Sequence, residues 1–488
     1  MSSHKRALSG MLYASGSRVV GLLVGVGRVK LQAIFIGASG VGMVNLLKSI
    51  IDFILSISGL GILPSLTREI SQAVERGDLA LVTSLIRTAR LMLFGVGCVC
   101  AVGVIISAPA ISGFMVGDGA LVLYLRWLSP MLLLPAWEVP NRAFLLGLGV
   151  LKSIAFLNVG SALLALLFGA GLYPVLGYGA IVPMMYVLAL APAIVSWQLL
   201  KKVYRCNISF QQTEWKWRVL LRLGLAFMWG NFLFALTILF IRSSISSWLS
   251  LEALGLYTAA YNLSLMFINV VRGAIFNDFY PRLSKAASDS RCRLVGEQLD
   301  LVICFLVPIS LITLGVGWLI MPIFYTIEFV PAVPLLLWFV LAGFFEMCVG
   351  VLMSVWPAES MVKRVTVVET INNVLKAVFV LSGAYLYDLE GAAMGYVCAT
   401  LFCFLLQLVL YSRFYNGAVV CDLFTRHWLS YCVLLFGFVA AYWASDLIGT
   451  VFCFLISGVY LFTQKEVIGR CVEGNSKVEG LFKRLKLI

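Results

Sequence analysis

The chain has 488 residues, of which 61% are hydrophobic and only 12% are charged. The mean hydropathy is +0.99, and a chain this apolar has more hydrophobic residues than a soluble protein can bury in its core. The composition therefore excludes a soluble globular protein and indicates an integral membrane protein. The formal net charge of +13 is spread between hydrophobic segments and forms no single patch, which argues against nucleic acid as a partner.

Hydrophobic segments long enough to cross a bilayer follow one another along the whole chain. The first two are joined by a short turn that begins at Gly37. The last two predicted spans are separated only by the short segment Ala444 to Leu447, and they are the least clearly defined spans. Twelve or thirteen spans are therefore alternatives to fourteen. The predicted spans cover roughly 8–37, 41–64, 91–116, 120–144, 150–172, 179–200, 220–246, 254–278, 298–323, 331–356, 365–386, 391–412, 427–445 and 447–464.

Two further segments have helical spacing without spanning length. Residues 65–88 predict a helix on the membrane surface, and the tail 465–488 predicts a basic amphipathic helix in contact with anionic lipid. Loops that carry Lys or Arg alternate with loops that carry neither, so the positive-inside rule predicts that both termini are cytoplasmic. The cysteines lie in spans or in these cytoplasmic loops, which predicts neither a disulfide nor a metal site.

The two halves of the chain repeat one another. Leu63-Pro-Ser-Leu-Thr-Arg68 corresponds to Tyr280-Pro-Arg-Leu-Ser-Lys285, and Gly42 corresponds to Gly255. Two later matches pair Lys152 with Arg364 and the segment 173–180 with 385–392. The matched positions are 212 residues apart in both of these pairs, and 217 and 213 residues apart in the first two. Parallel repeats of six spans predict two lobes that enclose a central path.

The hairpin followed by the basic turn, and the six-plus-six-plus-two layout, resemble the multidrug/oligosaccharidyl-lipid/polysaccharide exporter superfamily. Within it the chain is similar to bacterial flippases of undecaprenyl-pyrophosphate-linked oligosaccharides. The chain also resembles the first span of lipid II flippases at Ser17-Arg-Val-Val-Gly21. Those proteins have an acidic residue soon after the next arginine, but here Arg28 is followed by Val29. The expected fold is an all-α polytopic membrane protein of about 14 transmembrane helices, with lobes 1–210 and 211–415, two additional helices in 416–464 and the tail 465–488.

Charged residues at membrane depth are the candidate site, because such residues normally face a cavity or a partner. A pyrophosphate headgroup requires a groove lined with Arg and Lys, whereas an exporter of organic cations requires an acidic one. The acidic candidates for ion coupling or ion pairing are Asp52, Glu138 and Glu346, and Asp52 and Glu346 are also candidate partners of Lys48 and Lys376. The candidate substrate-binding residues are Arg18, Arg28, Lys30, Lys48, Arg242, Arg272 and Lys376.

The resemblance implies a flippase of the bacterial inner membrane that works by alternating access, without a cofactor and as a monomer. Its expected partners are a polyprenyl-pyrophosphate-linked glycan, membrane lipids and other membrane proteins of polysaccharide assembly. Alternatives are a lipid II flippase, a multidrug or cation antiporter, a membrane polymerase or ligase, and a non-transporting scaffold. An enzyme is disfavoured because every external loop is short. The sequence leaves the glycan and the coupling ion open.

Overall fold

The structure is a computed structural model, and it describes residues 3–116, 119–203, 217–286, 288–359, 361–415, 427–444 and 446–464. These residues are almost entirely helical and contain no strand, so the chain is an all-α polytopic membrane protein. The tail 465–488 lies outside the described residues.

The N-terminal half opens with one long bent helix. Helix α1 (Ser3–Ser58) contains a break at Gly37, whose φ of 62° is left-handed, so the helix comprises the first two predicted spans and the predicted turn between them. The helices that follow are α2 (Ile62–Glu75), α3 (Leu79–Val116), α4 (Val122–Leu128), α5 (Pro135–Gly147), α6 (Leu151–Leu176), α7 (Ile181–Val203) and α8 (Trp217–Trp248).

The C-terminal half contains a second bent helix. Its helices are α9 (Leu251–Lys285), α10 (Ser288–Phe324), α11 (Val333–Met353), α12 (Val355–Ala358), α13 (Val362–Phe414), α14 (Trp428–Trp443) and α15 (Asp446–Thr463). Helix α13 breaks at Tyr387 and Asp388, and Asp388 has a φ of 52°. Gly177, in the repeat-related segment between α6 and α7, has the same φ of 52°. The two segments matched in the sequence therefore both contain a left-handed residue at the bend between two spans.

The structure corrects two predicted elements. Residues 65–88 do not form one surface helix: α2 ends at Glu75, Gly77 turns the chain, and the carboxylate of Asp78 caps α3 by accepting the Leu81 N–H at 2.9 Å. The fourth predicted span, 120–144, is split into α4, a 3₁₀ segment (Ser129–Leu133) and α5. Pro130 and Pro135 stand at the starts of the last two elements, where a residue without an N–H is tolerated.

Seven helical stretches within the described residues are long and apolar enough to cross a membrane, and several of them contain two predicted spans joined by a bend. Their outer faces fit a lipid environment. On α3, Val99 and Ile106 are 73% and 75% exposed, whereas Val104 and Ala108 on the opposite face are buried. Large aliphatic side chains directed outward are stable in lipid, and they mark α3 as a membrane-spanning helix.

The chain divides into two compact units, Met1–Gly255 and Leu256–Ile488. In the first unit, Ile62, Leu66 and Ile70 of α2 pack with Leu85 of α3 and Phe144 of α5. In the second unit, α11 is the most deeply buried helix and packs against α10, α13 and α14. Helix α8 belongs to the first unit through its contacts with α1, α2 and α3. The boundary between the two repeats, predicted at residues 210 and 211, stays a prediction, because the compact units are defined by packing contacts and not by the repeated sequence.

Candidate functional site

A cavity of about 300 Å³ lies within the first unit between α1, α5, α6 and α7. The guanidinium groups of Arg28 and Arg142 lie in its wall, together with the polar side chains of Asn158 and Ser161. Gly21, Gly25, Ala162 and Ala165 occupy other wall positions, where their small size leaves the space open. The cavity wall therefore contains basic and polar residues, which suit an anionic or hydroxyl-bearing group.

Two polar contacts are made by residues that line this cavity or adjoin its lining along the chain. Arg142 pairs with Glu138 four residues earlier on α5, which places Glu138 in an ion pair. One turn beyond Arg28 on α1, the buried Gln32 amide donates to the Tyr173 hydroxyl at 2.7 Å. This bond ties α1 to α6 and fixes the rotation of α1, so that Arg28 faces the cavity.

A polar stripe on the second half of α1 contains two of the predicted site positions, and a third contacts the stripe from α8. Lys48 Nζ lies 2.5 Å from Asp52 Oδ2, and both side chains are about half exposed. Arg242 on α8 is buried and donates to the Asn45 carbonyl oxygen at 2.9 Å. The Lys48–Asp52 pair is the local ion pair that the spacing of four predicts, and Arg242 also positions α8 against this stripe.

An aromatic cluster continues from the stripe. The Phe53 and Phe232 rings lie 5.6 Å apart, and Trp229 lies 6.0 Å from Phe232. Trp229 is 42% exposed, which makes it the most exposed residue of this cluster. Aromatic faces beside an exposed ion pair form a surface that can contact both the apolar face and the hydroxyls of a sugar ring.

In the second unit, Lys376 and Glu346 form an ion pair between α13 and α11. Lys376 Nζ donates to Glu346 Oε1 at 3.0 Å, and the Tyr396 hydroxyl donates to Oε2 at 2.9 Å. The Tyr396 hydroxyl also lies 3.5 Å from that of Tyr261. Both carboxylate oxygens are engaged, so this pair matches the ion-pair alternative for Glu346 and Lys376.

The structure gives fewer contacts for the remaining predicted residues, Arg272, Lys30 and Arg18. The Arg272 side chain on α9 is exposed, and its charge acts on the Glu346 carboxylate. Lys30 is half-buried on α1. The backbone of Arg18 lies in α1, but its side chain lies outside what the structure describes.

Sequence reasoning missed contacts between residues far apart in the chain. His427 Nε2 lies 2.9 Å from Asp300 Oδ1, and both side chains are largely buried. Glu390 accepts from Trp338 Nε1 at 3.2 Å and from the Tyr442 hydroxyl. These partners lie 52 to 127 positions apart in the chain, and no local sequence pattern pairs residues at such separations. Within the described part of the chain, no group of three or more His, Cys, Asp or Glu side chains is arranged to hold a metal ion.

The sequence profile of the family described as polysaccharide biosynthesis protein matches residues 7–287, which is more than half of the chain. The chain belongs to this family. No curated protein matches the chain in sequence.

Solved structures of membrane transporters and of a flippase share the fold of this chain. A lipid II flippase, MurJ, in an inward closed conformation superposes with a TM-score of 0.72 at 14% identity, covering 94% of this chain and 100% of the flippase. An inward-facing multidrug resistance MATE transporter superposes with a TM-score of 0.69 at 13% identity, covering 84% and 98% of the two chains. A superfamily transporter from Pyrococcus furiosus, described as having a binding pocket of reverse polarity, superposes with a TM-score of 0.57 at 14% identity, covering 85% and 96%.

Proposed function

We propose that this protein moves an undecaprenyl-pyrophosphate-linked oligosaccharide from the cytoplasmic to the periplasmic leaflet of the bacterial inner membrane. The observation that carries the proposal is the cavity lined by Arg28 and Arg142 in a member of a polysaccharide biosynthesis family. A pyrophosphate anion cannot cross hydrocarbon unaided, and guanidinium groups replace its hydration with charge-assisted hydrogen bonds.

The balance of charge at membrane depth supports an anionic substrate. Each acidic candidate has a basic neighbour: Asp52 pairs with Lys48, Glu138 with Arg142, and Glu346 with Lys376. Seven of the ten candidate residues are basic and three are acidic, so the candidate set as a whole carries a positive excess. An exporter of organic cations needs the opposite excess, because a buried cation is stabilised by carboxylates.

The aromatic cluster of Phe53, Trp229 and Phe232 supports the proposal that the substrate contains a glycan. A glycan offers apolar ring faces that stack on aromatic side chains, while its hydroxyls reach charged and amide groups. Trp229 supplies the most accessible face, and the Lys48–Asp52 pair supplies donors and an acceptor.

A lipid II-type precursor is the second candidate, since it also carries a pyrophosphate and a glycan. The likeness to the lipid II flippase supports it, although at 14% identity that likeness reflects the fold alone. The missing acidic residue after Arg28 favours the polysaccharide precursor over lipid II.

Charge reversal in cells tests this proposal. Arg28→Glu should abolish surface glycan while the amount of protein in the membrane stays unchanged, because the carboxylate repels the pyrophosphate. Lys30→Glu, Arg242→Glu and Arg272→Glu are expected to act in the same direction. Arg126→Glu is the matched control, since Arg126 is an exposed basic residue of α4 that is not among the predicted substrate-binding residues. Normal glycan export by all four site variants would contradict the proposal.

A further inference from the structure

A second groove, of about 310 Å³, lies in the second unit between the two ends of the bent helix α13. Its walls are almost wholly apolar and come from Val367 and Ile371 on one arm of α13 and from Leu406 and Leu410 on the other. Val367 is 56% exposed and Ile371 is 38% exposed, so the groove is open along its length. From position 363 to position 371 it runs about 12 Å along the helix, at 1.5 Å per residue.

Basic residues stand at one end of this groove and nowhere else along it. Lys363 and Arg364 belong to its wall, and Arg413 is exposed at the other arm beside Phe414. Among the described residues, Lys363 and Arg364 make no ion pair with a carboxylate. The acidic residue at this end, Glu359, instead pairs with Arg291 at 3.7 Å and accepts a hydrogen bond from the Tyr415 hydroxyl.

Arg364 is held in place by aromatic rings. Its guanidinium carbon lies 3.7 Å from the centre of the Phe414 ring and 6.0 Å from the Trp356 ring. One of its nitrogens is directed at the Met361 sulfur at 2.9 Å, which is a weak acceptor. Trp356 is itself buried and donates to Gln407 at 3.2 Å. The guanidinium is therefore fixed in position, and its hydrogen-bonding groups are better satisfied by an anion than by the protein.

We infer that this groove binds an anionic phospholipid, with one acyl chain between the two arms of α13 and the phosphate at Lys363 and Arg364. An apolar channel that ends in cations has the polarity of such a lipid: hydrocarbon along the channel, negative charge at the mouth. The positive-inside rule assigns this end of α13 to the cytoplasm, whose leaflet carries anionic headgroups that basic pockets between helices bind. This site shares no residue with the Arg28 cavity and does not rest on the proposed transport function.

Titration of the purified, detergent-solubilised full chain with phosphatidylglycerol or phosphatidylcholine, followed by native mass spectrometry, tests the inference. Phosphatidylglycerol should bind the unaltered protein at least tenfold more tightly than phosphatidylcholine. The double variant K363Q/R364Q should lose that preference. Val367→Trp, which fills the groove and leaves both cations in place, should weaken phosphatidylglycerol binding as well.

The double variant K201Q/R218Q is the matched control. Lys201 lies 3.5 Å from the centre of the Trp197 ring and Arg218 lies 5.2 Å from the centre of the Trp217 ring. This variant therefore also removes one Lys and one Arg near aromatic rings, but neither residue lines the groove. It should bind phosphatidylglycerol as the unaltered protein does. Equal losses in both double variants would show a general effect of surface charge and would overturn the site. Undecaprenyl phosphate that displaces phosphatidylglycerol at equal concentration, with the same dependence on K363Q/R364Q, would overturn the assignment to a phospholipid.

Discussion

The repeat-related glycines Gly42 and Gly255 meet where α1 and α9 approach each other backbone to backbone. A Cβ at position 42 would stand 2.0 Å from the Leu251 carbonyl oxygen, and a Cβ at position 255 would stand 1.9 Å from the Ala38 carbonyl oxygen. Ala38 and Leu251 are themselves separated by the offset of 213 that relates the two glycines, so each half of the repeat presents the same contact to the other. Such a reciprocal contact is what a two-fold relation between repeats produces.

Gly42→Ala should therefore open this contact. An ordinary Cβ contact lies at 3.4 Å or more, so the helices must separate by about 1.4 Å, and overpacking of this kind costs about 1–3 kcal/mol. If transport alternates between a state with this contact and a state without it, that cost shifts the balance by about 5- to 150-fold toward the open state. Gly103→Ala is the matched control, because a Cβ there meets no atom within 4 Å.

The assay is the labelling rate of a cysteine at Asn45, one turn further along α1, in a background without the natural cysteines. A membrane-impermeant thiol reagent is applied from the external side predicted by the positive-inside rule. Labelling should rise in Gly42→Ala and stay unchanged in Gly103→Ala, and transport should fall only in the former. Identical labelling and transport in the two variants would refute the idea that this contact is part of the transport cycle.

Further outcomes follow from other contacts. Glu346→Gln leaves the largely buried Lys376 without its counter-charge and should destabilise the protein by about 3–5 kcal/mol in thermal unfolding. Replacing both residues by apolar ones of similar volume should restore most of the stability, and equal stability of the single and double variants would contradict the ion pair. Trp229→Ala should reduce glycan export more than Trp443→Ala, which removes an indole that is 82% exposed at the end of α14, and equal effects would remove the aromatic cluster from the substrate path. Cysteines placed at Lys363 should resist an impermeant reagent in intact cells while those at Ser250 and Leu389 react, and labelling at Lys363 would reverse the predicted orientation.

Much of the fold follows from local signals in the sequence. The turn at Gly37 and the bend within 385–392 were predicted because glycine, aspartate and small residues interrupt otherwise continuous hydrophobic spans, and both appear as left-handed breaks. Lys48 and Asp52 pair as their spacing of four predicts. These features depend on residues that are neighbours along the chain.

The misses arise where local signals compete or where contacts are distant. The apolar residues of 65–88 have helical spacing, so the segment was predicted as one helix and the turn at Gly77 and Asp78 was missed. A glycine followed by a capping aspartate is nevertheless a recognised helix boundary. Hydropathy alone read 120–144 as one span because it carries no information on the missing N–H groups of Pro130 and Pro135. The pairing of His427 with Asp300 depends on the packing of α14 against α10, which no local pattern specifies.

The role of Arg28 could be predicted only in part. Its charge at membrane depth marked it as a cavity residue, and the structure places it in the wall of a cavity. Its neighbours Arg142 and Asn158 were not predicted, because Arg142 reads as a loop residue in the sequence and Asn158 lies in an otherwise apolar span. The assignment of these residues to the substrate stays a prediction.

The central claim is that this chain moves a lipid-linked oligosaccharide between leaflets, and reconstitution tests it most directly. Purified protein is placed in vesicles with a fluorescent undecaprenyl-pyrophosphate oligosaccharide, and an impermeant quencher reports the fraction of label in the outer leaflet over time. The unaltered protein should redistribute the label, and Arg28→Gln should do so far more slowly while remaining folded in the vesicles. If folded, unaltered protein left the label in its original leaflet, or if Arg28→Gln moved it at the unaltered rate, the account would be contradicted.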